Sequence, residues 1–184
     1  TPIAALKETI ADSSEGSIDV MARMTRLAEQ VLNQVSSAKE NLNHEPKVLS
    51  QEDIRQCIPE AAEQAFLAFE KKDSVRFNQK LPTEPLLVPH DPENLRRAVS
   101  NLVSNALRAC NGVVEIEVEK SNAAVAIRVS DNGNGVDPED VGLLLQGRIT
   151  SKISGRLGYG LPSANHIARL HGGRLIYRKS SLGG

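Results

Sequence analysis

The stretch DPENLRRAVSNLVSNALRACNGVVEIEVEKSNAAVAIRVSDNGNG, residues 91–135, decides the fold. Asp91 can cap a helix, Pro92 sits in the first turn where its missing N–H does no harm, and Gly112 closes the end. Inside that helix Leu95, Val99, Leu102 and Ala106 recur at helical spacing and predict the buried stripe. Val114, Ile116 and Val118 then alternate with Glu115, Glu117 and Glu119, and Val125, Ile127 and Val129 alternate after a turn at Ser121-Asn122. This predicts an antiparallel hairpin with one wet face, running into Asp131-Asn132-Gly133-Asn134-Gly135.

Working outward, Ser50 and Asp53 have capping-box spacing, and Ile54, Ala61, Ala65, Phe66 and Phe69 line one side of a helix that contains Pro59. Residues 75–81 and 86–88 read as short strands beside prolines. Residues 138–145 predict a short helix, 147–160 are glycine-rich, a helix spans 161–171 before Gly172-Gly173, and 174–179 predict a last strand. Helices interleaved with hairpin strands give an α+β sandwich, a mixed sheet covered by helices on one face. Near the start, Met21, Met24, Ala28, Val31 and Val35 form a narrow apolar stripe. It suits a helical-bundle seam and, equally, a helix packed on the main domain. The organisation is therefore a helical segment over 1–43, a linker, and a domain over 50–184.

The chain has 184 residues, 40% hydrophobic and 24% charged, as expected of a globular protein. Its net charge is -1, from 22 basic and 23 acidic residues, so no bulk attraction to nucleic acid or an anionic membrane is expected. Cys57 and Cys110 are too few for a disulfide scaffold and suit a reducing, cytoplasmic setting. No apolar run approaches the roughly 20 residues of a membrane span. Any membrane attachment is expected outside this sequence.

Three elements suggest a nucleotide site. Asn101, Asn105 and Arg108 lie at i, i+4 and i+7, placing two amide oxygens and a guanidinium on one helix face. That set suits a metal-bound polyphosphate, although a solvated helix face has the same pattern. Asp131 follows inward-alternating residues and can accept from an adenine amine, with Gly133 and Gly135 letting backbone close on a ligand; a plain turn has the same composition. Gly155-Arg156-Leu157-Gly158-Tyr159-Gly160-Leu161 leads into a helix N-terminus, where N–H groups favour phosphate, and Thr150-Ser151-Lys152 can bring a cation to it. In isolation that segment is equally a surface loop. The ordered combination is far more specific than any one element.

In that order the elements resemble sensor histidine kinases of two-component systems. Asn101 to Arg108 resembles their N box, Asp131 to Gly135 their G1 box, and Gly158-Tyr159-Gly160-Leu161-Pro162 their G2 box. His171-Gly172-Gly173 and Ser180 to Gly184 match what usually follows. The resemblance covers 50–184 and implies a Bergerat-type ATP-binding fold, with Asp131 on adenine, Asn105 on Mg2+, Asn101 and Arg108 near the phosphates, and a lid between the glycine boxes. ATP and Mg2+ are the implied cofactors, with Thr150, Ser151, Lys152 and the G2 residues at the nucleotide.

Thr1-Pro2 resembles the end of an H box, so the acceptor histidine is expected four positions upstream of Thr1. None of His44, His90, His166 and His171 has the H-box context, and by the resemblance Thr1 orients water during dephosphorylation. The implied activity transfers the ATP γ-phosphoryl to a histidine of the dimerising hairpin and then to a response-regulator aspartate. Implied partners are that receiver domain and a second copy of the chain. The chain departs from the family pattern at Arg156, at Ala109 and in lacking Phe over 144–149. Two alternatives stay open: a nucleotide-binding signalling scaffold with a degenerate lid, and an ATP hydrolase on the same fold. Such hydrolases place a general-base Glu where Asn101 stands, and an amide cannot take that proton.

Overall fold

In the computed structural model, which describes residues 49–121, 124–145 and 160–184, the elements follow in order. They are β1 (Ser50–Asp53), α1 (Ile54–Leu67), a 3-10 turn (Lys72–Ser74), β2 (Arg76–Lys80) and β3 (Leu87–His90), then α2 (Pro92–Ala109), β4 (Val113–Lys120), β5 (Val125–Asp131), α3 (Pro138–Leu145) and α4 (Gly160–Leu170). The helical segment expected over 1–43 lies outside the described residues.

The predicted hairpin forms as β4 against β5, with Val114 opposite Asp131 and Lys120 opposite Val125. β2 adds to the other edge of β4 in parallel, Arg76 opposite Val113, so the three-stranded sheet is mixed. β1 and β3 form a separate antiparallel pair. Val114, Ile116 and Val118 point into one core with Ile54, Ile58 and Ala62 of α1 and Val99, Val103 and Leu107 of α2. Helices thus cover one sheet face. The other face carries Glu115, Glu117 and Glu119, which meet Lys80 and Arg128. Burying each large aliphatic of that core contributes about 1.5–3 kcal/mol, which makes this packing the main stabilising term. Phe66 of α1 stacks on Phe77 of β2, ring centres 5.0 Å apart, closing the end of the core.

α2 starts as its sequence predicts. The Asp91 carboxylate accepts from the backbone N–H of Glu93 and Asn94 at 3.1 and 3.2 Å, and Pro92 opens the helix. Its buried side is broader than the expected stripe. Val99 and Ala106 are buried as predicted, but Val103 and Leu107 carry the main contact and Leu95 is only partly buried. Leu102 turns instead toward a second, small cluster of Ala98, Ala164 and Ile167, because α2 is sandwiched between the main core and α4.

Two further expectations need correction. Ser50 does not cap α1, since it belongs to β1; Asp53 is the cap and accepts from the Arg55 N–H at 3.1 Å. Residues 174–179 form no strand ladder. Leu175 packs into the small cluster, the Val136 N–H donates to the Tyr177 hydroxyl at 2.8 Å, and Gly184 N–H donates to the Asp131 carbonyl at 3.1 Å, so this segment is held by side chains and a terminal turn. No described helix is long and apolar enough to cross a membrane.

Candidate active site

α2 carries the polar face that the sequence predicts. Asn101 and Asn105 are half-buried and Arg108 is exposed. The Arg108 Nη2 donates to Asn105 Oδ1 at 2.7 Å, so the guanidinium and the amide act as one charge-assisted pair. An amide oxygen has two acceptor positions, and Arg108 uses one of them. The first residue of α4 meets this pair. A Cβ built on Gly160 would lie 3.2 Å from Asn105 Nδ2 and 3.7 Å from Asn101 Cβ, so glycine lets the helix start come directly against the amides.

Asp131 ends β5, and its Oδ1 accepts from the Gly133 N–H at 2.8 Å. Gly133 is buried against the last turn of α2, and a Cβ there would overlap the Ala109 carbonyl. Gly135 has φ +72°, a conformation glycine adopts readily. Ala109 is four residues past Asn105, which is about 6 Å along a helix, so the acidic loop and the amide pair are set off along one rigid element.

Asn132, which the sequence presents only as a turn residue, fixes this loop. Its Oδ1 accepts from the N–H of both Asn111 and Val113 at 2.9 Å, and its own backbone carbonyl accepts from Asn111 Nδ2 at 3.2 Å. His171 is a second unforeseen fastener. The Asp91 N–H donates to its Nε2 at 3.0 Å while its Nδ1 donates to the Ile167 carbonyl at 2.8 Å, joining the end of α4 to the cap of α2. The turn over 131–135 was legible, but nothing local marks Asn132 for Asn111 and Val113, or His171 for its partner 80 residues away.

The structure therefore brings together Asn101, Asn105, Arg108 and Gly160, and separately holds Asp131, Gly133 and Gly135 at the end of the same helix. Leu161 follows Gly160 in the first turn of α4 and is partly buried. Thr1, Thr150, Ser151, Lys152, Gly158 and Tyr159 lie outside the described residues. A cavity of about 800 Å³ lies elsewhere, between the C-terminal ends of α1 and α2, lined by Phe69, Lys71, Ser104 and Arg108. It contains neither Asp131 nor the amide pair, so the chemistry of the donor set rather than cavity size marks the site.

The chain belongs to the histidine kinase-, DNA gyrase B- and HSP90-like ATPase family, whose profile matches residues 90–184. Its fold is the Bergerat-type α+β sandwich found in histidine kinase ATP-binding domains. The sensor-type histidine kinase PrrB of Mycobacterium leprae is 35% identical over 138 residues, covering 72% of this chain and 29% of that protein. The sensor protein kinase CarS of Pseudomonas aeruginosa is 35% identical over 101 residues, covering 54% of this chain and 22% of CarS. The solved ATP-binding domain of PrrB from Mycobacterium tuberculosis superposes with a TM-score of 0.61 at 25% identity, covering 75% of this chain and 92% of that domain. This chain thus spans less than a third of the length of the two curated relatives.

Proposed function

We propose that this chain is the ATP-binding catalytic core of a protein histidine kinase in a two-component system. The observation that carries the reading is the Asn101, Asn105 and Arg108 face with Gly160 seated on it, while Asp131 is held at the C-terminal end of the same helix. In this reading the Asp131 carboxylate accepts from the adenine amine. Gly133 and Gly135 let the loop backbone approach the base, and Arg108 draws the phosphates onto the Asn101 and Asn105 face. The start of α4, with Gly160 and Leu161, presents N–H groups to the same phosphates.

Asn105 fits a divalent cation because Oδ1 is a hard neutral oxygen with one acceptor position left beside Arg108. Mg2+, when bound, supplies charge neutralisation on the phosphates. Lys152, with Thr150, Ser151, Gly158 and Tyr159, belongs to the lid side of the site in this reading. A neutral imidazole nitrogen attacks the γ-phosphorus, the bond to the bridging oxygen breaks and ADP leaves; positioning and charge stabilisation supply most of the rate. Residues 1–43 belong to the dimerising hairpin, Thr1 assists dephosphorylation, and the phosphoryl group passes on to a response-regulator aspartate. Any membrane attachment comes from parts of the protein outside this sequence.

The test measures MgATP binding by this chain and phosphoryl transfer from ATP to a separately supplied histidine-bearing hairpin. Asn105→Ala is expected to abolish Mg2+-dependent transfer, and Asp131→Asn to erase the preference for ATP over GTP. Full transfer by Asn105→Ala, or unchanged base preference in Asp131→Asn, contradicts the assigned roles. ATP hydrolysis without transfer favours the hydrolase; binding with neither favours the scaffold.

A further inference from the structure

α4 and α2 meet along their length, and the order of the contacts fixes how they lie. Gly160, at the start of α4, sits on Asn105 and Asn101; Ala164 and Ile167 pack on Ala98; and His171, just past the end of α4, reaches Asp91 at the cap of α2. The two helices therefore run antiparallel. α4 has 11 residues and is about 16 Å long, so His171 and Gly160 stand at opposite ends of one short rod.

The contacts near the middle do little to fix how far α4 lies along α2. Ala98 and Ala164 present only methyl groups, Gly160 presents no side chain, and apolar contact has no preferred direction. The polar contact at the far end is directional. The Asp91 N–H can only donate, so His171 Nε2 accepts at 3.0 Å and carries no hydrogen; the Ile167 carbonyl can only accept, so Nδ1 carries the hydrogen, at 2.8 Å. Both ring nitrogens are thus committed in one neutral tautomer.

Each end of that bridge is firmly held. On the α4 side the His171 N–H donates to the Ile167 carbonyl at 3.2 Å, the Gly172 N–H to that of Arg169 at 3.0 Å and the Gly173 N–H to that of Ala168 at 2.8 Å, in a turn where Gly172 has φ +71°. On the α2 side Asp91 is buried, and its carboxylate accepts from the Glu93 and Asn94 N–H groups and from Asn94 Nδ2. The imidazole therefore joins two ordered helix ends.

We propose that His171 is a positioning residue for the phosphate-facing half of the site: by holding the Asp91 N–H it sets how far α4 lies along α2, and so where Gly160 and the first turn of α4 stand against Asn101 and Asn105. This role rests on the nucleotide reading of those groups. His171 acts through α4, from the end opposite Gly160.

Two substitutions separate the two bonds of the ring. In His171→Gln the amide oxygen can take the place of Nε2 and accept from Asp91, whereas in His171→Asn the shorter amide reaches only the place of Nδ1 and the Ile167 carbonyl. The test compares both with His171→Ala and the unaltered chain, by calorimetric titration with MgATP and, without nucleotide, by hydrogen exchange over α4. His171→Ala and His171→Asn are expected to bind MgATP about five- to tenfold more weakly, as the loss of one hydrogen bond predicts, and to exchange faster over α4. His171→Gln is expected to stay within about twofold of the unaltered chain in both measurements. Circular dichroism checks the fold of each variant, and if His171→Ala does not fold, the Gln and Asn variants carry the comparison. The proposal is overturned if His171→Gln fares no better than His171→Asn, if His171→Asn restores both properties and so marks His171 as a cap of α4 alone, or if all variants bind MgATP equally well. Failure of the unaltered chain to bind MgATP overturns the nucleotide reading instead; exchange still decides the lie of α4, and equal rates in every variant overturn the role of His171.

Discussion

On one side of α2, Val99, Val103 and Leu107 sink into a core shared with α1 and the sheet; on the other, among the described residues, Ala98 packs with Ala164 and Ile167 of α4 in a smaller cluster, with Leu102 and Leu175 at the margin. The site's groups divide along the same line. Asp131, Gly133 and Asn132 belong to the well-packed side, tied by backbone hydrogen bonds and a glycine with no room for a side chain. Gly160 and Leu161 belong to the side of the smaller cluster of the described residues. In the proposed reading, a rigid half that would take the base and a half resting on small residues that would face the phosphates can be adjusted independently, which suits a site that must both hold and release a nucleotide.

The same truncation on the two sides is the sharpest way to break this contrast. Ile116→Ala, in the main core, is expected to cost about 4 kcal/mol in chemical unfolding, because a rigid sheet cannot collapse into the void. Ile167→Ala is expected to cost about 2 kcal/mol, since its described cluster is small and lined by alanines, so α4 can shift inward. Equal losses measured by urea denaturation would remove the distinction. Next in size is Asn132→Ala, which strips the acceptor from two backbone N–H groups and is expected to cost about 1–2 kcal/mol. It is also expected to weaken MgATP binding several-fold, read by calorimetry, with Asn132→Asp recovering part of both; wild-type affinity in the alanine variant would separate the loop from the site.

The smallest effect is electrostatic and lies at the start of α1. Hydrogen bonds from the Arg55 guanidinium, first, and from the Leu86 and Arg55 N–H groups hold the Asp53 carboxyl well below its ordinary 3.8. A depressed folded value means that this contribution is complete above the ordinary carboxylate range and is lost as the pH falls below it. Melting temperature is therefore expected to decline slightly more steeply below about pH 4 in the native protein than in Asp53→Asn. Parallel curves would show that the cap does not contribute.

Much of this architecture was readable because it rests on local rules. Asp91-Pro92 marks the start of α2, and the Val114 and Val125 alternations specify the hairpin and its buried face. The amide pair and the acidic loop were legible as separate patterns. What escaped were consequences of neighbours. Val103 and Leu107 outrank Leu95 only because α2 is covered on two sides, and Ser50 looks like a cap until β3 claims its backbone as a strand. Residues 174–179 have strand composition, but their fastening by Leu175 and Tyr177 depends on α4 and Val136, which no local pattern specifies. Asn132 and His171 act on backbone N–H groups, which are the same in every sequence and give no signal of their own.

The parallel register of β2 on β4, Arg76 beside Val113, spans the whole of β3 and α2. β4 and β5 can zip locally across their short turn, but β2 gains its ladder only after that long intervening loop has closed. The topology predicts an order of assembly in which the hairpin and α2 come early and the outer strand docks late. A refolding chain would consequently spend its slow phase with one edge of β4 bare, and that interval is when it is most open to pairing with another copy.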